Sequence, residues 1–148
     1  MYTPEPLTVA ERRQRTILRV GAVYDAGFGV PLLFIPAIIM NALALPLPDV
    51  GRIWLQLDGI FLIVVGLIYW IMSQDPGRYL GIMAVILAGK AGSISFYVAF
   101  VVIQHVSKTF LLFAALDAVM FALHWWALGP GGIARINAAM RAAPDVAT

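Results

Sequence analysis

Long runs of apolar residues dominate the sequence and restrict what the chain can fold into. Several of these runs reach the roughly 20 residues that an α-helix needs to cross the hydrocarbon core of a bilayer. The 148-residue chain is 61% hydrophobic and only 12% charged, whereas soluble domains carry about 25% charged residues. A soluble helical bundle does not need runs of this length. We therefore interpret the chain as an integral membrane protein.

Turn signals between the runs predict four transmembrane helices in an all-α, up-down bundle. The helices cover about residues 20–40, 51–73, 77–104 and 108–128. Because the connections are short, we expect consecutive helices to be antiparallel neighbours. The chain then divides into a basic helical extension over 1–19, a membrane domain over 20–128, and a tail over 129–148. We expect the tail to be a short interfacial helix with a disordered end.

Local signals predict where the helices begin and end. Thr8 and Glu11 have the spacing of a capping box, and glycines after Leu128 end the last membrane helix. The candidate N-caps of the second, third and fourth helices are Asp49, Asp75 followed by Pro76, and Ser107. The first membrane helix contains residues that favour a kink or an unwound stretch, namely Gly27, Gly29, Pro31 and Pro36.

Basic residues are distributed unequally between the two ends of the predicted bundle. The end that holds both termini carries Arg12, Arg13, Arg15, Arg19, Arg78, Arg135 and Arg141. The other end carries only Arg52 and Lys108. The positive-inside rule therefore predicts that both termini are cytoplasmic. Aromatic residues near the predicted span ends have the distribution of an interfacial belt, and they are Trp54, Tyr69, Trp70, Tyr79, Trp125 and Trp126.

Four ionisable residues lie inside the predicted spans: Asp25, Asp58, Lys90 and Asp117. A charge at such a depth costs several kcal/mol unless something compensates it. At about 1.5 Å per residue, Lys90 lies near the midplane and Asp117 slightly outward of it. We therefore predict that Lys90 pairs with Asp117 or with Asp58. Asp25 and Asp58 lie nearer the two interfaces, where simple solvation explains them as well as a function does.

Helical periodicity places further polar residues beside these charges. Lys90, Ser93, Tyr97 and Gln104 share one face of the third helix. The opposite face carries small residues suited to close helix approach, namely Gly81, Ala88, Gly92, Ser95 and Ala99, so we expect neighbours on both sides of this helix. His124 shares a face with Asp117, and we interpret it as a hydrogen-bonded belt residue. The predicted intramembrane polar network is Lys90, Asp117, Asp58, Asp25, Ser93, Tyr97 and His124.

The charges of this network do not balance, because three carboxyl groups face one ammonium group. We expect at least one carboxyl group to be protonated, to lie in a hydrated vestibule or to hold a cation. Three roles remain open for Lys90 and Asp117: a structural lock between helices, a site for a ligand or a proton, and a contact with a partner subunit.

Several chemistries lack the residues that they need. The sequence has no cysteine, which excludes thiolate metal sites, and no cluster with the spacing of a metal site. His105 and His124 lie at opposite ends of the predicted bundle, so they cannot share a haem within one monomer. We predict no cofactor, no metal and no catalytic residue, and the basic residues form no stripe of the kind that binds nucleic acid.

Short motifs resemble a group of small four-helix bacterial membrane proteins, the DoxX-like proteins. The motifs are GRIWLQLDGIFLIVVGLIYW, the turn DPGR, Gly89-Lys90 in the third helix and Leu116-Asp117 in the fourth. The resemblance covers residues 21–128 and implies a four-helix fold in the bacterial inner membrane. It also implies an accessory role in redox or membrane processes, and it carries over no catalytic residue.

Three functions are compatible with the sequence. The first is an accessory, assembly or structural subunit that contacts another membrane protein or forms a homo-oligomer. The second is a proton-linked carrier or binder of a small hydrophobic or protonatable ligand. The third is a DoxX-like membrane subunit of a quinone-linked oxidoreductase. Of these, we expect the first, because the chain has no large soluble domain and its helices carry small-residue faces.

Overall fold

A computed structural model describes residues 7–142, which form six α-helices and no strand. In chain order these are α1 (Val9–Phe34), α2 (Pro36–Ala42), α3 (Asp49–Gln74), α4 (Ile82–Gln104), α5 (Phe110–Leu128) and α6 (Gly132–Ala142). Four of them, α1, α3, α4 and α5, are long and apolar enough to cross a membrane. The prediction of an all-helical chain with four such helices is confirmed. The disordered end predicted for the tail lies outside the described residues.

The first predicted span is two helices instead of one. α1 ends at Phe34, Ile35 has non-helical backbone angles, and α2 begins at Pro36. A proline disfavours the helical conformation of the residue before it, but it fits the first position of a new helix. The expected kink is therefore a break at Ile35, while Pro31 lies inside α1.

The capping predictions had mixed outcomes. The Thr8–Glu11 capping box is confirmed. Asp75 is not the N-cap of the third span, because residues 76–81 form turns and α4 begins at Ile82 instead of residue 77. The Asp75 carboxylate instead accepts a hydrogen bond from the Arg78 backbone at 3.2 Å within that turn.

The other two predicted N-caps are also displaced. Asp49 is the first residue of α3, and Pro48 takes the N-cap position. Ser107 accepts a hydrogen bond from the Thr109 backbone at 3.3 Å, but α5 begins only at Phe110, two residues after the predicted start.

α1 and α3 pack so closely that their backbones touch. A Cβ atom added at Gly59 would lie 2.7 Å from the carbonyl oxygen of Gly29 and 2.7 Å from the backbone nitrogen of Leu33. One at Gly66 would lie 3.0 Å from the carbonyl oxygen of Ala22. Small residues thus recur every seven positions on both helices, and they allow the close approach that stabilises membrane helix pairs.

The helices that pack against each other are not all consecutive in the chain, whereas the prediction required consecutive pairs. α1 packs most extensively against α3, α4 packs against α5, and α1 also packs against α5. The consecutive helices α3 and α4 are not among the extensive pairs. α1 therefore lies between α3 and α5, and α4 lies at the side of the molecule.

The expectation that the third membrane helix is enclosed on both sides is wrong for this chain alone. The small residues Ala88, Gly92, Ser95 and Ala99 are exposed. A Cβ atom added at Gly89 or Gly92 would meet nothing within 4 Å. α4 contacts α5 with one face, and none of residues 7–142 covers the opposite face.

The best-packed part of the molecule lies at the end where α1 begins and α3 and α5 finish. Its buried residues are Leu18, Ala22, Tyr69, Met72, Met83, Leu87, Leu128 and Ile136. Tyr69 is therefore a core residue and not part of the belt. Trp54, Trp70, Trp125 and Trp126 are exposed, as the belt prediction requires. Because Ile136 is buried, α6 is packed onto the bundle.

Two arginines at this end bind the last carbonyl groups of neighbouring helices. Arg15 donates hydrogen bonds to the carbonyl oxygens of Ser73 and Gln74 at 3.1 and 3.0 Å. Arg135 donates one to the carbonyl oxygen of Leu128. Unpaired carbonyls and the helix dipole make a helix C-terminus negative, so these contacts stabilise the ends of α3 and α5.

Candidate functional site

Lys90 and Asp117 form a direct ion pair between α4 and α5. The Lys90 Nζ lies 2.6 Å from Oδ1 of Asp117, and the Ser93 hydroxyl donates a hydrogen bond to Oδ2 of the same carboxylate. Lys90 and Ser93 reach the same partner because residues three apart lie on one helix face. Both oxygens of Asp117 therefore have a donor, so its ionised form is well satisfied.

Asp25 brings α1 into the same site. Its Oδ1 lies 3.9 Å from the Lys90 Nζ, and its side chain is only 1% exposed. Neither of its carboxyl oxygens has a hydrogen-bond partner. The neighbouring Tyr24 places its ring centroid 5.3 Å from the same ammonium group, at cation–π distance. We call Lys90, Ser93, Asp117 and Asp25 the ion cluster. It joins three helices.

The ion cluster carries one more acidic group than basic groups. If both carboxyl groups were ionised, the cluster would have a net negative charge in surroundings that solvate charge poorly. Asp117 already holds the ammonium and the Ser93 hydroxyl, whereas Asp25 has the longer contact and no donor. Protonation of Asp25 therefore weakens fewer contacts in the site than protonation of Asp117 would. The cluster can stabilise the bundle, and it can also hold a proton.

The remaining predicted network residues do not join the ion cluster. Asp58 is exposed on α3. Tyr97 stacks with Phe110 and lies 5.7 Å from the ring of Phe113, so it belongs to an aromatic contact between α4 and α5. Gln104 is exposed at the end of α4. The predicted stripe on this helix thus contributes two residues to the cluster, Lys90 and Ser93.

His124 lies elsewhere in the interior. Its side chain is fully buried and its ring stacks on Tyr69 with centroids 5.4 Å apart. Its Nε2 has no hydrogen-bond partner. The interpretation of His124 as a hydrogen-bonded belt residue is therefore wrong, because α5 turns this side chain toward α3 and away from the bundle surface.

Sequence reasoning missed Tyr24 and Gln14. Gln14 is buried on α1 with its Nε2 unpaired. A signal for it was present: Gln14, Leu18, Gly21 and Asp25 follow the three-and-four spacing of one helix face. The arginines around Gln14 indicate a solvated extension over residues 1–19, and this signal outweighs the spacing of the face.

Two cavities at the surface of the described residues lie away from the ion cluster. One of about 210 Å³ lies beside Trp125 and Gly129, where α5 ends. The other, of about 240 Å³, lies between the break at Ile35 and Arg52. Neither is lined by Lys90. Within residues 7–142, no group of three or more His, Asp or Glu side chains could hold a metal ion.

Comparison of the chain with protein-family models, with curated proteins and with solved structures found no match. The resemblance to the DoxX-like group therefore stays a prediction from short motifs.

Proposed function

We propose that this chain is an accessory or structural subunit of a protein assembly in the bacterial inner membrane, with both termini in the cytoplasm. The observation that carries the proposal is the bare face of α4, which has the composition of a helix-packing surface but is covered by no helix of residues 7–142. The occupant that we propose is a transmembrane helix of another membrane protein.

The bare face of α4 consists of small residues with room above them. Ala88 and Gly92 have the small-xxx-small spacing that lets two membrane helices approach closely. Only 6% of the most apolar stretch of α4 is buried, against 33% for α1. In the α1–α3 pair of the same molecule, glycines of this kind are in backbone contact. Within residues 7–142, one face with small residues is therefore packed against another helix, and the one on α4 is not.

The ion cluster supports this role by fixing the orientation of α4. Because α4 packs extensively only on α5, the contacts of Lys90 with Asp117 and Asp25 help to set its rotation and depth. A paired charge inside a bundle specifies register well even when it adds little net stability. The cluster then presents the bare face in one fixed direction.

The test is affinity purification of the tagged chain from native membranes in mild detergent. We expect a stoichiometric membrane-protein partner, and we expect Gly92→Leu to release it by filling the bare face. The matched control is Gly27→Leu, because Gly27 is also an exposed helix glycine with nothing within 4 Å of its Cβ position. A strictly monomeric wild-type protein, or equal loss of the partner in both variants, would contradict the proposal.

A further inference from the structure

The buried side-chain atoms that lack a hydrogen-bond partner within residues 7–142 occur in one part of the molecule. They are Nε2 of Gln14, Nε2 of His124 and both carboxyl oxygens of Asp25. Gln14 and Asp25 are on α1, and His124 is on the adjacent α5. Buried polar groups are nearly always paired in proteins, so several unpaired ones along one interface require an explanation.

Helix register places these three residues in a row. At the arginine-rich end, Arg13 lies over the ring of Trp126 at 4.8 Å. Further along, a Cβ atom at Gly21 would lie 3.5 Å from the Met120 side chain. α1 and α5 are therefore antiparallel, and moving inward along them one passes Gln14, then His124, then Asp25. We call these three residues the polar row.

Tyr69 connects the middle of the polar row to Asp25. Its ring stacks on His124 and lies 3.2 Å from the Cβ position of Gly21, about one helical turn before Asp25. Three residues before Tyr69 on α3, a Cβ atom added at Gly66 would lie 3.7 Å from the Cβ of Asp25, so this face of α3 reaches Asp25. Polar groups thus follow one another from the arginine-rich end of the bundle to the ion cluster.

We propose that Asp25 is a proton-binding group of the intramembrane site and that the polar row connects it with water at the arginine-rich end of the bundle. Each unpaired atom of the row can donate to or accept from a water molecule, which is the usual partner of a buried polar group that no protein group satisfies. When Asp25 is neutral, Lys90 pairs with Asp117 alone. When Asp25 releases its proton to water, the new carboxylate attracts the ammonium group, 3.9 Å away.

The groups that face Asp25 come from every helix packed around it. Lys90 of α4 supplies the positive charge, and Asp117 of α5 supplies a negative one. Tyr24 of α1 and Tyr69 of α3 are neutral hydroxyl-bearing rings, and His124 lies behind Tyr69. Proton exchange at Asp25 therefore changes the charge of a site that holds α1, α4 and α5 together, and this role is independent of the proposed partner on α4.

The test is infrared spectroscopy of the protein in lipid vesicles, which detects the carbonyl stretch of a protonated carboxyl group. We expect a component of this band at neutral pH that titrates away at alkaline pH. Asp25→Asn should remove the component. Asp49→Asn should retain it, because Asp49 is exposed at the start of α3. A band that is identical in wild type and Asp25→Asn overturns the assignment of the proton to Asp25.

Transfer into D₂O then tests the path to this group. Exchange of the Asp25 proton shifts its band, and we expect the double substitution Gln14→Leu/His124→Leu to slow this exchange about tenfold or more, equivalent to about 1.4 kcal/mol in the barrier. The control is Gln56→Leu, since Gln56 is a part-buried glutamine on α3 that is bonded to the Leu33 carbonyl, outside the row. Equal rates in the two variants overturn the path. The circular-dichroism spectra of all variants establish that they are folded.

Discussion

At the scale of single residues, Lys90 is the basic side chain of the ion cluster, and its ammonium group compensates the buried carboxylate of Asp117. We expect Lys90→Met to lower the free energy of unfolding by about 3–5 kcal/mol, the range found when one partner of a buried ion pair is removed. The reason is that Asp117 would then be a buried carboxylate with only the Ser93 hydroxyl as a donor. Reversible unfolding in mixed detergent micelles, followed by circular dichroism, measures the change.

Two further variants separate the ion pair from the lysine side chain itself. Lys90→Met/Asp117→Leu removes both partners, and we expect it to recover most of the stability, because replacing a whole buried pair by apolar residues is often neutral. Lys108→Met should have little effect, since Lys108 is exposed near the start of α5. A Lys90→Met protein as stable as wild type would show that Lys90 is not a structural lock.

At the scale of helices, the backbone contact between α1 and α3 gives the clearest expectation. We expect Gly59→Ala to lower the free energy of unfolding by about 1–3 kcal/mol, the usual effect of an overpacked core. The new methyl group would lie 2.7 Å from backbone atoms of Gly29 and Leu33, and backbone cannot move aside as a side chain can.

Gly27→Ala is the matched control for this pair of helices. Its new methyl group would meet nothing, and alanine favours a helix by about 1 kcal/mol over glycine, so no loss of stability is expected. Thermal unfolding of both variants in the same detergent makes the comparison. Similar destabilisation by the two substitutions would mean that the α1–α3 contact is looser than the structure indicates.

The sequence predicts that the four membrane helices exist better than it predicts the residues at which they begin and end. Runs of about 20 apolar residues identify membrane helices because a bilayer demands that length. Helix ends depend on weaker competing signals. Asp75 has the chemistry of an N-cap, but the same carboxylate can close the turn onto Arg78, and nothing local decides between these two uses. Ile35 was predictable as part of a disturbed stretch because two prolines flank it.

At the scale of the whole molecule, the arrangement of the helices was the part that sequence could not supply. Depth along each helix placed Lys90 level with Asp117, and the structure pairs them. Depth says nothing about which helices face each other, so the sequence left Asp25 open between simple solvation and a function, whereas the structure buries it 3.9 Å from Lys90. Short connections also predict that α3 and α4 are neighbours. In the structure α3 packs instead against α1, because glycines on both helices allow their backbones to touch.

The orientation of the molecule in the membrane is a prediction from its charge distribution. Arg13, Arg15 and Arg135 all lie at the end where α1 begins and α5 finishes, and arginine-rich ends stay in the cytoplasm.

Because the sequence has no cysteine, a single introduced cysteine is the only thiol in the chain. We expect a membrane-impermeant thiol reagent applied to intact cells to label Lys108→Cys but not Asn137→Cys, both of which are at exposed positions. Both variants should react after the membrane is permeabilised, which shows that each thiol is reachable. Labelling of Asn137→Cys alone in intact cells would mean that the chain has the opposite orientation. The polar row would then connect Asp25 with the external medium instead of the cytoplasm.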